Sequence, residues 1–256
     1  MIRGLYVSIL TDKIGSFTLP NIAKGILGNA TKEAQFIGYV FQYGFNSVSI
    51  YDLGKILPSQ SLSSRLSNLI KQLKANGVVE VNAIASTLND VDLIKRYNAS
   101  HQNHFDGVVT ELEFWNAGNG NTAVFNSALA LLDAIRVSKL VASCYIGWLN
   151  LIPGMAINAA ASILANHADR ILVHAYVKDP SLASGYILSR VTALRAGNPN
   201  VDIRPIFSAE GVGFSAGDEI FMGDYLKTHT FTQCEAALPG FSGYQYYEYG
   251  FLRAIK

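Results

Sequence analysis

The 256-residue sequence predicts a (β/α)8 barrel, the TIM-barrel fold, and two regularities support this prediction. Eight short segments rich in β-branched and aromatic residues begin 29 to 43 residues apart, and helical patterns lie between them. Strands that alternate with helices of this length require right-handed parallel crossovers, and eight such units in about 250 residues are typical of the closed barrel. An open doubly wound sheet is the alternative, but it rarely needs eight evenly spaced units, and no GxGxxG follows the first strand.

The predicted elements alternate along the whole chain. The strands are 4–10 (GLYVSIL), 47–53 (SVSIYDL), 78–86 (VVEVNAIAS), 107–114 (GVVTELEF), 140–148 (LVASCYIGW), 170–177 (RILVHAYV), 201–210 (VDIRPIFSAE) and 243–250 (GYQYYEYG). The helices are 31–43, 61–75, 89–97, 121–137, 152–166, 181–194 and 217–227. Only six residues follow the eighth strand, so we expect the eighth helix to be short or missing. No linker or low-complexity tract interrupts the pattern, which predicts one domain over 1–256.

The low charge of the chain is consistent with such a barrel. Half of the residues are hydrophobic, and only 15% are charged. Barrel strands are buried on both faces, so a charge within them is costly unless it is paired or functional. The net charge of +1 argues against a nucleic-acid-binding protein, because no basic stripe is available to release counterions. The two cysteines, Cys144 and Cys234, are too few for a disulfide scaffold and are expected to be buried free thiols.

No integral membrane segment is expected. A spanning helix needs about twenty consecutive apolar residues. The most apolar segments, 123–135 and 149–164, are interrupted by polar residues such as Asn126, Asp133 and Asn158. The apolar segment after Arg3 is too short for a secretory signal.

The fourth predicted strand carries charge where the barrel should exclude it. Glu111 and Glu113 are two residues apart, so the period of a strand places both on one side, toward the barrel interior. Active sites of these barrels lie at the carboxyl ends of the strands, where Glu113 would be nearer the mouth. Two carboxylates close together raise one pKa, and a raised glutamate suits a general acid. The alternative is a structural pair neutralised by Arg204 or His174.

The segment 106–113, DGVVTELE, resembles the DGxDxDxE signature on strand four of glycoside hydrolase family 18, the chitinases and related endo-N-acetylglucosaminidases. The resemblance implies that Glu113 is the catalytic acid and that Glu111 orients the N-acetyl group of the substrate. In that family the acetamido oxygen of the substrate attacks the anomeric carbon in place of an enzyme nucleophile. Tyr176 corresponds to the tyrosine of the Tyr-Asp pair on strand six, and Tyr247 to the tryptophan of strand eight.

The sequence also departs from the signature. Val109 stands where the family has its middle aspartate, and the longer Glu111 replaces the last aspartate. Ala83 begins the segment AIAS, which replaces the SxGG pattern of strand three, and Asp179 follows Tyr176 three residues late. The resemblance implies hydrolysis of β-linked, N-acetylglucosamine-containing glycans, whereas these departures favour the alternative hypothesis, a catalytically inactive carbohydrate-binding barrel.

Aromatic and polar residues at strand ends complete the predicted substrate site. Aromatic rings stack on pyranose faces, and Trp115, directly after the acidic pair, is the predicted stacking platform. The full predicted substrate-binding set is Trp115, Tyr247, Tyr51, Trp148, Glu210, Asn82 and Asp106. His174 is interpreted as a hydrogen-bonded core residue, and Arg204 as the partner of a carboxylate deep in the barrel. The expected partner is therefore an oligo- or polysaccharide, and the resemblance favours an extracellular or periplasmic location.

Three other chemistries are weaker interpretations of the sequence. Lys178 follows strand six, where barrel aldolases carry a Schiff-base lysine, but the adjacent Asp179 and Pro180 indicate a solvated loop. The five histidines are scattered, so no metal site is predicted. The glycine-rich segment 211–217 lies in the usual phosphate-binding region of such barrels, but it is more often simply a loop. No cofactor is expected.

Overall fold

Parallel strands close on themselves to form the centre of the molecule. The computed structural model of the protein describes residues 1–11, 13–14, 17–19, 21, 23–116, 122–176, 182–208 and 242–254. Within these residues, eight parallel strands form a closed barrel in which each strand pairs with the next along the chain and the last pairs with the first. The predicted (β/α)8 barrel is therefore confirmed.

The barrel strands are four to seven residues long. They are β1 (Ile2–Val7), β4 (Ser47–Ile50), β5 (Glu80–Ala85), β6 (Gly107–Thr110), β7 (Val141–Ile146), β8 (Arg170–His174), β9 (Asp202–Ser208) and β10 (Gly243–Tyr247). Two short strands after β1, β2 (Lys13–Ile14) and β3 (Phe17–Thr18), form an antiparallel pair.

Helices connect the strands, and several begin at a capping side chain. They are α1 (Ala30–Gln42), α2 (Leu53–Ile56), α3 (Gln60–Ala75), α4 (Leu88–Ser100), α5 (Thr122–Val137), α6 (Ile157–His167), α7 (Ala183–Gly197) and α8 (Tyr249–Ala254). Thr87 and Asp90 form a reciprocal capping box at the start of α4. The final helix, α8, has six residues, as expected for a short eighth helix. The predicted helix 217–227 lies outside the described residues.

The strands end earlier than the sequence predicts. The fourth barrel strand was expected over 107–114, but β6 ends at Thr110, and the backbone N–H of Phe114 donates to the carbonyl of Leu112 in a turn. Apolar residues continue past the strand because they pack above it: the ring of Phe114 lies 5.0 Å from that of Phe125 on α5. In this segment, the apolar and aromatic residue types therefore indicate that the side chains are buried, and they do not indicate that the backbone pairs as a strand.

Several side chains face the barrel interior, because their contacts join strands that are not neighbours. The Nε2 of Gln245 on β10 donates to Oγ of Ser49 on β4 at 2.9 Å. Toward the carboxyl ends of the strands, the hydroxyl of Tyr51 reaches Glu111, which follows β6. The interior is thus polar at several levels, and its carboxyl end is the region of the predicted site.

Four charged side chains close the amino end of the interior. Glu80 on β5 pairs with Arg170 on β8 at 2.9 Å and with Arg204 on β9 at 2.8 Å. Asp202 pairs with the same two arginines, at 3.0 and 2.7 Å. The expectation that Arg204 balances a deep carboxylate is confirmed. The alternative in which Arg204 neutralises the pair of Glu111 and Glu113 is excluded, because its guanidinium is engaged at the opposite end of the barrel.

In this amino-end quartet, the ion pairs lower the pKa values of the two carboxyl groups by more than burial raises them. Burial alone would raise the pKa of Glu80, but Arg170 and Arg204 hold it below the ordinary value. Burial likewise opposes the ionisation of Asp202, whose pKa is nevertheless lowered by Arg204, by a hydrogen bond from Ser242 and by Arg170. Both carboxylates are therefore ionised at neutral pH.

Candidate functional site

Glu111 is held at the carboxyl end of the barrel by Tyr51. Glu111 directly follows β6 and Tyr51 directly follows β4, so the tilt of the closed barrel brings both into its mouth. The Tyr51 hydroxyl donates to Oε2 of Glu111 at 2.6 Å. Burial and then the Glu111 carboxylate raise the pKa of Tyr51 well above its ordinary range. Tyr51 therefore stays protonated and remains a donor to this carboxylate.

Two further tyrosines complete an aromatic wall beside Glu111. Tyr6 on β1 lies 5.7 Å from Tyr51 and 5.8 Å from Tyr247, measured between ring centroids. Tyr51 and Tyr247 are 6.2 Å apart and nearly perpendicular. Burial, followed by the nearby Glu111, raises the pKa of Tyr6 as well. The structure thus brings together the predicted residues Glu111, Tyr51 and Tyr247, with Tyr6 beside them.

A cavity of about 280 Å³ opens next to this wall. It is lined by Tyr51, Asp52, Leu53, Gly54, Lys55, Ile84, Ser86, Asp90 and Glu111. Asp52 is held rigidly on one side of this cavity by three hydrogen bonds. Its Oδ2 accepts from the Ser8 hydroxyl at 2.7 Å and from the Leu10 N–H at 2.8 Å. Its Oδ1 accepts from the Thr11 hydroxyl at 2.7 Å. These bonds tie the segment after β1 to the end of β4. Sequence analysis missed Asp52, which is recognisable only by its contacts.

Glu113 lies beyond the strand and is half-buried. Its Oε2 accepts a hydrogen bond from the Nδ2 of Asn116 at 3.0 Å, and the Asn116 N–H donates to the Glu113 carbonyl. Because β6 ends at Thr110, the period-2 argument that placed Glu113 beside Glu111 does not extend to it. Its role as the acid remains a prediction.

Trp115 is packed and does not form an exposed platform. Its ring is 7% exposed, and it meets Phe114 at 5.0 Å and Tyr145 at 5.2 Å in edge-to-face contacts. Gly147 permits this packing, because a Cβ there would lie 2.2 Å from the indole nitrogen of Trp115. The predicted stacking role of Trp115 does not fit a ring that is enclosed in this way.

The opposite side of the mouth carries a second aromatic group. Trp148, which follows β7, is 38% exposed, and Tyr176, which follows β8, is half-buried. His174 joins them, with its ring centroid 4.0 Å from that of Tyr176 and 6.5 Å from that of Trp148. Burial and then the charge of Arg190 lower the pKa of His174 to about 4, so its ring is neutral at neutral pH.

Three predicted residues lie away from the mouth or outside the described residues. Asp106 precedes β6, at the amino end of the barrel, where it pairs with Lys74 at 2.8 Å and accepts the N–H of Val81. It therefore does not join the substrate-binding set. Asn82 is buried inside the barrel, and its Nδ2 lies 3.4 Å from Oγ of Ser47. Glu210 lies outside the described residues, as do Lys178, Cys234 and the glycine-rich segment 211–217.

The described part of the chain holds neither a metal-ligand cluster nor a membrane-spanning helix, and the thiol of Cys144 is buried. In those residues, no group of three or more His, Cys, Asp or Glu side chains could hold a metal ion. Burial raises the pKa of the Cys144 thiol to about 12, so it is not a nucleophile at neutral pH. No helix in the same ranges combines the length and the apolarity required to span a bilayer.

Comparison with known proteins finds similarity at the level of structure. No protein-family model matches the sequence, and a search of curated proteins finds no match. A GH18 chitinase from Pseudoalteromonas aurantia superimposes with a TM-score of 0.56 at 13% identity, covering 100% of this chain and 98% of the other. The ICChI chitinase from Ipomoea carnea gives 0.55 at 12% identity, with 98% and 96% covered. A putative alpha-L-fucosidase from Bacteroides thetaiotaomicron gives 0.59 at 12% identity, with 99% and 89% covered.

The similarity is one of fold. Barrels with these TM-scores and identities of 12 to 13% share the architecture, and glycoside hydrolases are among them. Function has to be argued from the side chains at the mouth, because this fold supports many unrelated reactions.

Proposed function

We propose that the chain is a glycoside hydrolase-like protein that acts on β-linked, N-acetylglucosamine-containing glycans. The observation that supports this proposal is the carboxylate of Glu111, held by Tyr51 within a wall of aromatic rings at the carboxyl end of the barrel. A neutral sugar requires apolar faces for stacking and a few oriented polar groups for specificity. The mouth offers both, in the place where barrels of this class carry their active sites.

In the proposed reaction, Glu113 protonates the glycosidic oxygen while the acetamido oxygen of the substrate attacks the anomeric carbon. The bond to the leaving sugar breaks, and a cyclic oxazolinium forms on the remaining sugar. Water then attacks the anomeric carbon, the bond from that carbon to the acetamido oxygen breaks and restores the N-acetyl group, and a proton of the water returns to Glu113. Glu111 orients the acetamido group, and Tyr176 assists with its hydroxyl. Tyr51, Tyr247 and Trp148 bind the flanking sugar faces.

A catalytically inactive carbohydrate-binding barrel is the second candidate. The contact of Glu113 with the exposed Asn116 favours it, because this hydrogen bond occupies Oε2, one of the two carboxylate oxygens that could otherwise reach a glycosidic oxygen. Val109 also stands where the resemblance calls for an aspartate. In this alternative the same aromatic mouth binds glycan without cleaving it.

Hydrolysis of a chromogenic N,N'-diacetylchitobioside separates the two candidates. We expect turnover by the wild type and a loss of about 100-fold or more in kcat for Glu113→Gln, since general acid catalysis contributes on this scale. Asp92→Asn on the exposed face of α4 is the matched control and should leave turnover unchanged. Chitotetraose binding without release of the chromophore would support the inactive barrel. Absence of both binding and release would contradict both candidates.

A further inference from the structure

Arg190 on α7 is a buried cation at the mouth, and among the described residues no carboxylate pairs with it. Its side chain is almost fully enclosed, at 4% exposed. Nη1 donates to the Gly147 carbonyl at 2.8 Å and Nη2 to the Tyr186 carbonyl at 3.2 Å. The buried Nε has no hydrogen-bond partner. Within the described ranges, no Asp or Glu pairs with this guanidinium, whose charge is met only by neutral groups.

The other two buried arginines among the described residues, in contrast, form ion pairs with carboxylates. Arg170 and Arg204 are equally buried, and each contacts both Glu80 and Asp202. An isolated charge in a poorly solvated site is costly, and this cost falls when an anion is brought to it. In the part of the chain that the structure describes, the lack of a carboxylate partner therefore distinguishes Arg190 as a group that can still gain from an external anion.

Aromatic rings and an imidazole form the surface above Arg190. Its guanidinium carbon lies 4.6 Å from the centroid of Trp148 and 5.0 Å from that of Tyr186. His174, the last residue of β8, lies 6.2 Å from Tyr186 between ring centroids, and its buried Nδ1 has no hydrogen-bond partner. Burial lowers the pKa of His174 to about 4, and the charge of Arg190 contributes to this lowering. Trp148, which is 38% exposed, presents part of this group to solvent.

The charge of the mouth is therefore divided between its two sides. Glu111, with Asp52 and Asp90 along the adjoining cavity, makes the β4–β6 side acidic. Arg190 lies behind the ends of β7 and β8 on the other side. A neutral glycan would use Trp148 for stacking but would gain nothing from the charge of Arg190.

We propose that the β7–β8 side of the mouth is a subsite for a carboxylate carried by the glycan. Arg190 supplies the positive charge, His174 supplies a hydrogen bond and Trp148 stacks on the sugar that bears the acid. Charge attraction of this kind is strong where rings exclude water. This inference rests on the proposed function, and it narrows the substrate class to acidic glycans that contain N-acetylglucosamine.

Calorimetric titration with three tetrasaccharides at low salt tests the subsite. Chitotetraose is the neutral reference. A hyaluronan tetrasaccharide carries the carboxylate on the sugar ring, and a tetrasaccharide of alternating N-acetylglucosamine and N-acetylmuramic acid carries it on a lactyl ether. We expect at least one acidic tetrasaccharide to bind the wild type about ten-fold more tightly than chitotetraose, a preference that decreases with added salt. The two acidic probes distinguish the source of the carboxylate.

Two variants assign this preference to particular residues. Arg190→Met removes the charge and keeps the length of the side chain against the rings of Trp148 and Tyr186, and it should abolish the preference. His174→Gln keeps a hydrogen-bond donor, loses the ring and should reduce the preference, so it provides a test even if Arg190→Met does not fold. Arg96→Met on the exposed surface of α4 changes the net charge equally and should have no effect.

The outcomes separate this inference from the proposed function. Equal affinity for neutral and acidic tetrasaccharides, or a preference that persists in folded Arg190→Met, overturns the subsite while chitotetraose binding still supports the proposed function. Absence of binding by all three tetrasaccharides overturns both. Tight binding of an acidic probe alone supports the subsite and limits the function to acidic glycans.

Discussion

The charged side chains at the two ends of the barrel interior have different kinds of partner. At the amino end, Glu80 and Asp202 neutralise Arg170 and Arg204 through ion pairs of 2.7 to 3.0 Å. At the carboxyl end, the Glu111 carboxylate accepts from the Tyr51 hydroxyl, and the Arg190 guanidinium donates to the carbonyls of Gly147 and Tyr186. Closed ion pairs leave little to gain from a ligand, whereas charges held by neutral groups can still interact with one.

The comparison shows why the amino-end charges are structural and the carboxyl-end charges are candidates for function. All four members of the amino-end quartet are mutually satisfied, and Arg170 and Arg204 have almost no exposed surface. The mouth instead combines an exposed tryptophan, a half-buried tyrosine and a cavity beside Glu111. A buried charged side chain therefore does not by itself indicate a functional site. The groups that it contacts decide whether it is structural or a candidate for function.

Breaking the amino-end quartet should have the largest effect on stability. Arg204→Met leaves Glu80 and Asp202 with one arginine between them, and removing one partner of a buried ion pair costs about 3–5 kcal/mol. Urea denaturation at pH 7 measures this loss. Lys95→Met is the control, because Lys95 and Asp92 are exposed and 3.7 Å apart, so its effect should be below about 0.5 kcal/mol.

The pH dependence of stability provides an independent check on the quartet. Because the folded-state pKa values of Glu80 and Asp202 are lowered, their contribution is complete above the ordinary carboxyl pKa of about 4 and decreases as the pH falls toward the lowered values. The difference in unfolding free energy between wild type and Arg204→Met should therefore shrink on acidification. A difference that stayed constant down to pH 2 would contradict the assigned ionisation.

Much of the fold follows from the sequence because it depends on local patterns. The apolar segments mark the barrel strands, and the last described helix, α8, has six residues and follows β10 closely. Strand ends do not follow from such patterns. The segment after Thr110 keeps strand-like residues although pairing has ended, since Phe114 packs against α5. The short helix α2 (Leu53–Ile56) was also missed, because its four residues show no helical period.

The candidate site is less accessible to sequence analysis, because its contacts join distant residues. Glu111 stands out as a charge beside a strand, but Tyr51 lies 60 positions earlier in the chain, and only the closed barrel brings the two together. Trp115 follows the acidic pair directly and is nevertheless enclosed. Arg190 gives no signal at all, since an arginine in a helix is ordinarily solvated, and only its burial identifies it.

Removing the Tyr51 hydroxyl should affect function more than stability. Tyr51→Phe keeps the ring contacts with Tyr6 and Tyr247 but deletes the 2.6 Å hydrogen bond to Glu111. Loss of this orientation should lower kcat about 10- to 100-fold with a smaller change in KM, because a misplaced group costs on this scale. Chitobioside turnover measures the effect, and Tyr43→Phe, at the residue that directly follows α1, is the control. Unchanged turnover in Tyr51→Phe would show that Glu111 is not oriented by Tyr51.

The smallest expected effect is at Asp106, the predicted site residue that the structure places at the amino end. Asp106→Asn should lower stability by about 1 kcal/mol, because its pair with Lys74 is partly exposed and asparagine still accepts from the N–H of Val81. Chitotetraose affinity, measured by calorimetry, should not change, since the side chain lies at the opposite end of β6 from Glu111. A loss of affinity without a loss of stability would contradict the exclusion of Asp106 from the substrate-binding set. It would also show that the amino end of the barrel takes part in glycan recognition.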